Sequence, residues 1–393
     1  MSESGKPLGR ALRPLFELGP EGTFLNHGSF GACPKGVLAE QARIRARMEA
    51  QPDVFFRQSV MPDQGVTALR TAASRLAAFV GTREEHVAFV ENATLGVQAA
   101  LDSVDLAAGD RVLVTDHTYN AVRLLVEARC AQAGATPLVV KLPLSADPDG
   151  IVAAFERALA PGVRLAIVDH ITSPTALVLP LDRIIPVLRR SGALVLVDGA
   201  HAVGQVVLDL ETLQADWYVS NAHKWLFAPR ASAFLYASPR VAATTRPPVI
   251  SHFVEMGFPR SFDWVGTRDY SAWLSVPAAI GFHEGFDAAA VRDHHGRVLE
   301  AATGALAAVG VKPVGPMALC AAMRSFVLPQ RRPATREDAL ALARALWDEE
   351  RIQAMAVAHG ERLLLRVSSQ VYVGEDDVRS LPPALDRCGW PGR

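Results

Sequence analysis

Lys224 is a residue whose chemical type asks for a functional explanation. It follows the apolar run 217–219, within the stretch Asn-Ala-His-Lys-Trp at residues 221–225. The chain has 40 lysines and arginines, and the lysines among them are Lys6, Lys35, Lys141, Lys224 and Lys312. Arginine therefore supplies most of the plain positive charge. An amine that loses its proton can attack a carbonyl to form a Schiff base, whereas a guanidinium cannot. Lys224 is thus the candidate nucleophile.

Aspartate and histidine side chains follow several apolar runs of the chain, including the one before Lys224. These residues are Asp116, His117, Asp169, His170, Asp198, His201 and His223. A single histidine in such a place is more often structural, but four in equivalent positions favour a shared site. In open parallel sheets, ligands bind beyond the carboxyl ends of the strands. The pattern therefore predicts an active site at one edge of a sheet.

A helix start follows the apolar run 87–90 and is a candidate anion site. Asn92, Ala93 and Thr94 stand at this point. The amides and the dipole of a helix N-terminus favour an anion such as phosphate, and a threonine hydroxyl adds a donor. A plain helix cap is the alternative interpretation of the same residues.

Two kinds of enzyme could use these residues. A metal-dependent hydrolase would take the aspartates and histidines as ligands, but it gives Lys224 no role and leaves Thr94 unexplained. Pyridoxal 5′-phosphate needs an amine, a phosphate site, a carboxylate for its ring nitrogen and a flat side chain against its ring. Asp198 can supply the carboxylate, and His117 or Tyr119 the flat side chain. A nucleotide-binding module is weaker, because neither a Walker-type loop nor G-x-G-x-x-G follows the first strand.

The elements that must position these residues alternate along the chain. Apolar runs typical of strands occupy 87–90, 112–115, 138–142, 165–168, 194–197 and 233–236. Helical patterning fills intervals such as 120–133, 151–159 and 182–190. This alternation predicts an α/β fold in which helices cover both faces of a mostly parallel sheet, giving three αβα layers.

Four segments are predicted from changes in pattern. Residues 1–20 form an N-terminal arm, and residues 21–248 form a large cofactor-binding domain. Residues 249–286, which include Gly266 and Thr267, form an interface or linker segment after Pro247 and Pro248. Residues 287–393 form a smaller C-terminal α+β domain.

Composition narrows the classes of partner and location. The net charge is −1 and basic residues are scattered, so we expect neither nucleic acid nor an anionic membrane as a partner. No stretch is long enough for a membrane span, and the polar start lacks a signal-peptide core. The four cysteines show no metal-type spacing, which favours a reduced cytoplasmic protein.

The motifs together resemble those of a known family. Residues 197–201 read Val-Asp-Gly-Ala-His, and His223-Lys224 follows about two dozen positions later. Further motifs lie at 25–31, 169–175, 221–225 and 266–269. The chain from about Asn26 to Tyr372 resembles the class V aminotransferase family of fold-type I pyridoxal-phosphate enzymes, and is most similar to its isopenicillin N epimerase-like members.

The resemblance implies a role for each matching position. Lys224 would be catalytic, bonding the cofactor and then moving the Cα proton of the substrate. Asp198 would pair with the ring nitrogen and His117 would stack on the ring. His201 would lie near the phenolic oxygen, with Ser173 beside it, although some relatives carry asparagine there.

The resemblance also implies which residues bind the cofactor phosphate and which residue reaches the second subunit. The phosphate would be bound by Thr94 and the amide of Ala93, together with Asn221 and His223. Thr267 would reach the phosphate of the neighbouring subunit, which implies a homodimer that shares its active sites.

The substrate is assigned to two regions of the chain. The resemblance implies that Arg366 binds the carboxylate of an amino acid, a task suited to a guanidinium; a surface arginine on a strand is the alternative. Asn26 and His27 lie in a glycine-spaced loop that either touches the ligand or forms a simple surface turn.

The reaction at the α carbon stays open at the level of sequence. Proton return to the opposite face gives epimerisation, return to the cofactor gives transamination, and loss of a β-substituent gives a lyase. No cysteine lies between Cys320 and Cys388, where a persulfide-forming desulfurase of this family needs one. A C–S lyase that works without a catalytic cysteine therefore remains an alternative to epimerisation.

Overall fold

The computed structural model describes residues 7–390, and elements are numbered in chain order. Within this range seven strands form the main sheet, in the spatial order β2-β8-β7-β6-β5-β3-β4. Their bounds are β2 Val87–Val90, β3 Arg111–Thr115, β4 Thr136–Val140, β5 Val163–Asp169, β6 Leu194–Asp198, β7 Trp217–Ser220 and β8 Ala233–Ala237. Neighbouring strands are parallel except that β8 is antiparallel to both β2 and β7. All six predicted strands are present.

Helices cover both faces of this sheet because its strands are apolar on both sides. Along β3, Val112 and Val114 pack into one hydrophobic cluster and Leu113 packs into the other. The helices of this part are α1 His27–Phe30, α2 Lys35–Ala50, α3 Pro52–Ser59, α4 Ala68–Phe79, α5 Ala93–Asp102, α6 Asn120–Ala133, α7 Pro148–Ala158, α8 Leu181–Arg190, α9 Leu210–Leu213, α10 Arg260–Asp263, α11 Ser271–Leu274 and α12 Val276–Glu284. Helices α5 and α6 line one face, and α4, α7 and α8 the other. The predicted three-layer α/β architecture is confirmed.

A smaller antiparallel sheet follows in the C-terminal part. Its strands are β9 Lys312–Pro313, β10 Met323–Val327, β12 Met355–His359 and β13 Arg362–Ser368. Their spatial order is β12-β13-β10-β9. The helices of this part are α13 Ala288–Ala307, α14 Arg336–Asp348, α15 Glu375–Arg379 and α16 Leu381–Arg387. The predicted smaller α+β unit is therefore present.

Residues 8–16 pack against this smaller sheet. Leu12 and Phe16 are buried in its hydrophobic cluster, and the short strand β1 Thr23–Phe24 pairs in parallel with β11 Ile352–Gln353. The segment boundaries predicted from sequence stay predictions, and residues 1–6 and 391–393 lie outside the described residues. None of the helices between residues 7 and 390 has the length and apolar character needed to cross a bilayer.

The chain order of the main sheet brings the predicted site residues to one edge. Asp169 ends β5 and Asp198 ends β6, and the two are paired in register. Strand β7 leads into the loop of Lys224, and α5 starts soon after β2. Since these ends lie at the carboxyl edge of parallel strands, their polar side chains converge there.

Candidate active site

The loop after β7 places the amine of Lys224 beside His201. The Lys224 Nζ atom lies 3.3 Å from Nε2 of His201. Burial and then the positive charge of Arg366 lower the pKa of Lys224 to about 7, while Asp198 acts in the opposite direction. Near neutral pH a large fraction of this amine is unprotonated, so it can act as a nucleophile or a base.

Asp198 lies buried among groups that leave its charge incompletely compensated. Burial raises its pKa, although the backbone amide of Ala200, which donates to Oδ1 at 3.0 Å, acts against this. Asp169 is its neighbour on β5, and burial and the Asp198 carboxyl raise the pKa of Asp169 well above its usual range. A protonated ring nitrogen facing Asp198 would stabilise the carboxylate. Asp169 was not among the predicted ligands, although its position at a strand end was visible in the sequence.

Two asparagine side chains, those of Asn92 and Asn221, accept hydrogen bonds from backbone amides at the start of α5. Asn92 caps the helix, its Oδ1 accepting from the amide of Leu95 at 3.0 Å. The amide of Ala93 donates to Oδ1 of Asn221 at 2.8 Å, so this predicted phosphate donor is already hydrogen-bonded. The hydroxyl of Thr94 is partly exposed and has no hydrogen-bond partner in the described chain. Thr94 is therefore the group at this helix start that is open to an anion.

His223 lies next to Lys224 and is tied to the backbone. Its Nδ1 lies 2.8 Å from the carbonyl oxygen of Ser232, and because a carbonyl only accepts, Nδ1 carries a proton. Burial is the largest cause that lowers the pKa of His223 to about 4. A bound dianion would raise this pKa and allow the second nitrogen to donate as well.

His117 is fully buried and both of its ring nitrogens are engaged. Nε2 donates to the carbonyl of Leu142 at 2.9 Å, and Nδ1 accepts from the hydroxyl of Thr175 at 2.7 Å. Burial and then the nearby His359 lower the pKa of His117 to about 4. The ring is therefore neutral at pH 7 and fixed in orientation. Its stacking on a cofactor stays a prediction.

Arg366 is a buried cation without an acidic partner in the described chain. The residue is 1% exposed; it donates to the carbonyl of Ser173 at 2.7 Å and to the Ser29 hydroxyl at 3.2 Å. Its contact with Asn26 Oδ1 is long, at 3.4 Å, and its Nε has no acceptor. Burial lowers the pKa of Arg366 to about 10, so it is still charged at pH 7.

Arg70 shows what a buried arginine in this protein looks like when its charge is satisfied. It is also 1% exposed, but it donates to Glu84 and to Asp263. An unpaired buried charge is costly, so the surroundings of Arg366 fit a site that awaits an anion. Ser29, which sequence reasoning missed, belongs to this group; its signal was its place inside the glycine-spaced loop.

His27 lies beside the lysine loop, with both ring nitrogens in use. Nε2 donates to the carbonyl of Lys224 at 3.0 Å, and Nδ1 lies 2.7 Å from the hydroxyl of Tyr372. Burial lowers the pKa of His27 to about 3, so it is neutral. In this arrangement His27 holds the backbone of Lys224 and offers no free nitrogen to a substrate. A substrate contact from His27 therefore stays a prediction that this geometry does not favour.

Thr267 lies apart from the residues gathered around Lys224. Its side chain is exposed, and no hydrogen bond joins it to another predicted site residue in the described chain. The adjacent Arg268 forms an ion pair with Glu91, just before α5. The structure thus places Thr267 where it contributes nothing to the site of its own chain, and its reach into a neighbouring subunit stays a prediction.

Comparison with known proteins identifies the family. The model of the aminotransferase class-V family matches residues 33–380. The chain belongs to the class V aminotransferase family. It is 35% identical to isopenicillin N epimerase of Amycolatopsis lactamdurans, covering 95% of this chain and 96% of that protein. It is 30% identical to an L-cysteine desulfhydrase of Arabidopsis thaliana, covering 92% of this chain and 86% of that protein.

A solved structure confirms the fold. The cystine C-S lyase C-DES, in complex with its reaction product cysteine persulfide, superposes with a TM-score of 0.79 over 95% of this chain and 99% of that one. The identity is 23%, so this similarity establishes the fold-type I architecture and not the reaction.

As a class V aminotransferase family member, the chain is a pyridoxal 5′-phosphate enzyme. The residues present fit this cofactor: Lys224 has a reactive amine, Asp198 a buried carboxylate, and Thr94 an open hydroxyl at a helix start. When bound, the cofactor supplies an electron sink for negative charge at the substrate α carbon. Membership of this family argues against the alternative of a metal-dependent hydrolase that the sequence left open. Within residues 7–390, no three His, Cys, Asp or Glu side chains form a group that could hold a metal ion.

Proposed function

We propose that this enzyme removes the Cα proton of an L-cysteine-type amino acid with Lys224 and expels the β-sulfur. The observation that carries the proposal is a Lys224 amine whose pKa is lowered to about 7, in part by the nearby Arg366, a buried guanidinium with no acidic partner in the described chain. Arg366 binds the substrate carboxylate, and its contacts with Ser173 and Ser29 hold the guanidinium in place. The Cα–H bond is then presented to Lys224.

A single base is enough for this reaction, and the geometry of His117 supports a single base. Epimerisation needs a proton donor on the face opposite Lys224, and His117, which the resemblance predicts to stack on the ring, is the candidate for that face. The one ring proton of neutral His117 is held by the carbonyl of Leu142, so it is not available. Elimination needs no such donor.

The balanced reaction with L-cysteine consumes one water. Lys224 takes the Cα proton, the Cβ–S bond breaks, and the sulfur leaves with a proton as hydrogen sulfide. The remaining enamine tautomerises and takes up water, giving pyruvate and ammonia. The Arabidopsis thaliana relative named L-cysteine desulfhydrase supports this choice.

Cys33 and Cys130 are both buried and poorly placed to carry a persulfide. Burial raises the pKa of Cys33 to about 12, so its sulfur stays protonated and unreactive. Cys130 packs against α6 neighbours in the core of the main sheet. This supports direct release of sulfide rather than its transfer to a cysteine.

The test begins with the cofactor-loaded protein and L-cysteine. We expect yellow protein, borohydride fixation of the cofactor at Lys224, and release of sulfide, pyruvate and ammonia in equal amounts. Lys224→Ala should lose both fixation and turnover, by about 10³-fold or more. Turnover of L-cysteine without sulfide, or unchanged fixation in the variant, would overturn the proposal.

Epimerisation is the second candidate, because one residue could supply the missing donor. Tyr119 is 47% exposed, and it lies close enough to Arg366 to raise the pKa of the guanidinium. The isopenicillin N epimerase relative covers nearly the whole chain. If epimerisation is the reaction, amino acids in deuterium oxide should gain Cα deuterium with inversion, and Tyr119→Phe should abolish inversion while retaining exchange.

Assembly and location are part of the same proposal. The exposed position of Thr267 supports a homodimer in which each subunit completes the phosphate site of the other. Sedimentation analysis should then give twice the 42.2 kDa mass of the chain. The cytoplasmic location expected from the scattered cysteines stays a prediction, which cell fractionation would test.

A further inference from the structure

Trp225 contacts the far side of His201, away from the lysine. Its indole Nε1 lies 3.3 Å from Nδ1 of His201, and the two residues are 1% and 2% exposed. An indole nitrogen can only donate a hydrogen bond. Nδ1 of His201 must therefore be the acceptor, which means that it carries no proton.

This contact fixes the tautomer of His201. Burial, followed by the charges of Lys224 and Arg366, lowers the pKa of His201 well below its usual range, so the ring is neutral. With Nδ1 unprotonated, the single ring proton of neutral His201 is on Nε2. Nε2 is the atom that lies 3.3 Å from Lys224 Nζ.

The direction of the final hydrogen bond follows. A protonated Nε2 can only donate, so Lys224 Nζ must accept, and an ammonium has no lone pair with which to do so. The chain of bonds from Trp225 through His201 is therefore compatible with the neutral amine of Lys224 and not with its charged form.

Trp225 is held firmly enough to act in this way. Its ring packs against His27 with centroids 4.9 Å apart. Gly204 has a φ of +87°, and a Cβ there would lie 2.4 Å from the carbonyl oxygen of Trp225. This close backbone approach fixes the position of the tryptophan.

We propose that Trp225 is a positioning residue that sets the tautomer of His201, so that His201 keeps the Lys224 amine unprotonated with its lone pair directed at Nε2. The hydrogen-bond arrangement stands without the proposed reaction. The consequence for catalysis, a reactive base at Cα, rests on the proposed function.

The test measures the protonation of Lys224 in the full-length chain freed of cofactor. Trace acetylation with acetic anhydride across pH, with mass spectrometry of the Lys224 peptide, gives its pKa directly. Trp225→Phe removes the donor, allowing His201 to shift its proton to Nδ1 and accept from the ammonium. The pKa of Lys224 should then rise by about one unit.

The other titratable groups near Lys224 are unchanged by this substitution. They are Asp198 at the end of β6, Arg366 on β13, and His223 in the same loop. Trp217→Phe is the matched control, because Trp217 is also 1% exposed and its indole donates to Thr245. The control should leave the pKa of Lys224 unchanged; equal shifts in both variants would overturn the proposal.

A further variant, in which His201 is absent, distinguishes an effect of Trp225 through His201 from an effect of Trp225 packing. In a His201→Phe protein, Trp225→Phe should cause no further change in the pKa of Lys224. An undiminished shift there would show that Trp225 acts by packing, and the proposal would fall.

A measurement on the unsubstituted protein makes the outcome independent of variant folding. Nitrogen-15 spectra of histidine-labelled protein should show His201 protonated at Nε2, its signal assigned by its loss in His201→Phe. A proton on Nδ1 would overturn the proposal. Absence of sulfide release with the expected pKa shift would overturn the proposed reaction alone, and sulfide release without the shift would overturn this inference alone.

Discussion

At the scale of the residue, the site contains two neighbouring basic side chains, Arg366 and Lys224, which differ in their protonation at neutral pH. Arg366 keeps its charge because a guanidinium resists deprotonation, whereas Lys224 gives up much of its charge at neutral pH. Each affects the other, because the charge of Arg366 lowers the pKa of Lys224. A substrate carboxylate on Arg366 would partly cancel that effect, so we expect substrate binding to raise the pKa of Lys224.

Replacement of Arg366 should therefore change both the KM for the substrate and the pKa of Lys224. For Arg366→Gln we expect KM for the amino acid to rise by about 100-fold, the loss of one charged hydrogen-bonding pair. The pKa of Lys224 should rise as well, because a positive neighbour is removed. Steady-state kinetics and trace acetylation measure the two effects.

Arg324→Gln is the control for this prediction. Arg324, on β10 of the smaller sheet, is also buried without an acidic partner in the described chain, and its Nε also lacks an acceptor; it differs from Arg366 in donating to Thr303 and to the carbonyl of Gly315. The Arg324→Gln variant should have a lower free energy of unfolding and a nearly unchanged KM. A KM effect of similar size in both variants would show that Arg366 acts only through folding.

At the scale of the element, the loop of α1 and the lysine loop are built against each other. His27 donates to the carbonyl of Lys224. Gly31 has a φ of +69°, and a Cβ there would lie 2.2 Å from the carbonyl oxygen of His223. The N-terminal loop therefore forms one wall of the site, and only glycine permits so close a backbone approach.

Gly31→Ala should disturb both stability and the lysine loop. We expect the free energy of unfolding to fall by about 2–3 kcal/mol, from backbone strain and the clash with His223. Urea denaturation measures this. Gly36→Ala, in α2 with open space around it, should be neutral or stabilising by up to about 1 kcal/mol. Equal effects at the two glycines would contradict the close contact.

At the scale of the whole molecule, buried neutral histidines make folding sensitive to acid. Burial holds the pKa near 3 for His27 and His295 and near 4 for His117, His170 and His223. In the unfolded chain each would titrate near 6.5. Between these values the unfolded state binds more protons, so stability falls as the pH falls from about 6.5 to about 4.

His170 offers a test of this acid sensitivity, since it lies outside the group around Lys224 and contacts Tyr218. The free energy of unfolding of the unsubstituted protein should be lower at pH 5 than at pH 7.5. In His170→Gln this difference should shrink by about 1 kcal/mol. His252→Gln, at an exposed position, should leave the difference as it is. An unchanged difference in His170→Gln would refute the assignment.

Sharing of the active site between subunits is a second property of the whole molecule. If Thr267 completes the site of its partner, a mixture of Lys224→Ala and Thr267→Ala chains should form hybrids with one intact site. Refolding equal amounts together should restore about a quarter of the original activity. Activity no greater than that of the Thr267→Ala chains present would contradict sharing.

The sequence by itself determined the family, the cofactor and the layered α/β architecture, and it predicted the role of Lys224. These follow from local patterns, because apolar runs become strands and the residues after parallel strands meet at one edge. The helix predicted at 120–133 has those bounds in the structure. The antiparallel direction of β8 was not predicted, because the direction of a strand depends on its partners and not on its own residues.

The tertiary structure alone decided which polar atoms are already occupied. The contact of Arg366 with Ser173 spans 193 positions, and that of His27 with Tyr372 spans 345. Hydrogen bonds between such distant segments leave no periodic signal in the chain. Hence the open Thr94 hydroxyl, the engaged Ala93 amide, and the path from Trp225 through His201 to Lys224 emerge only when folding brings these donors and acceptors within reach of one another.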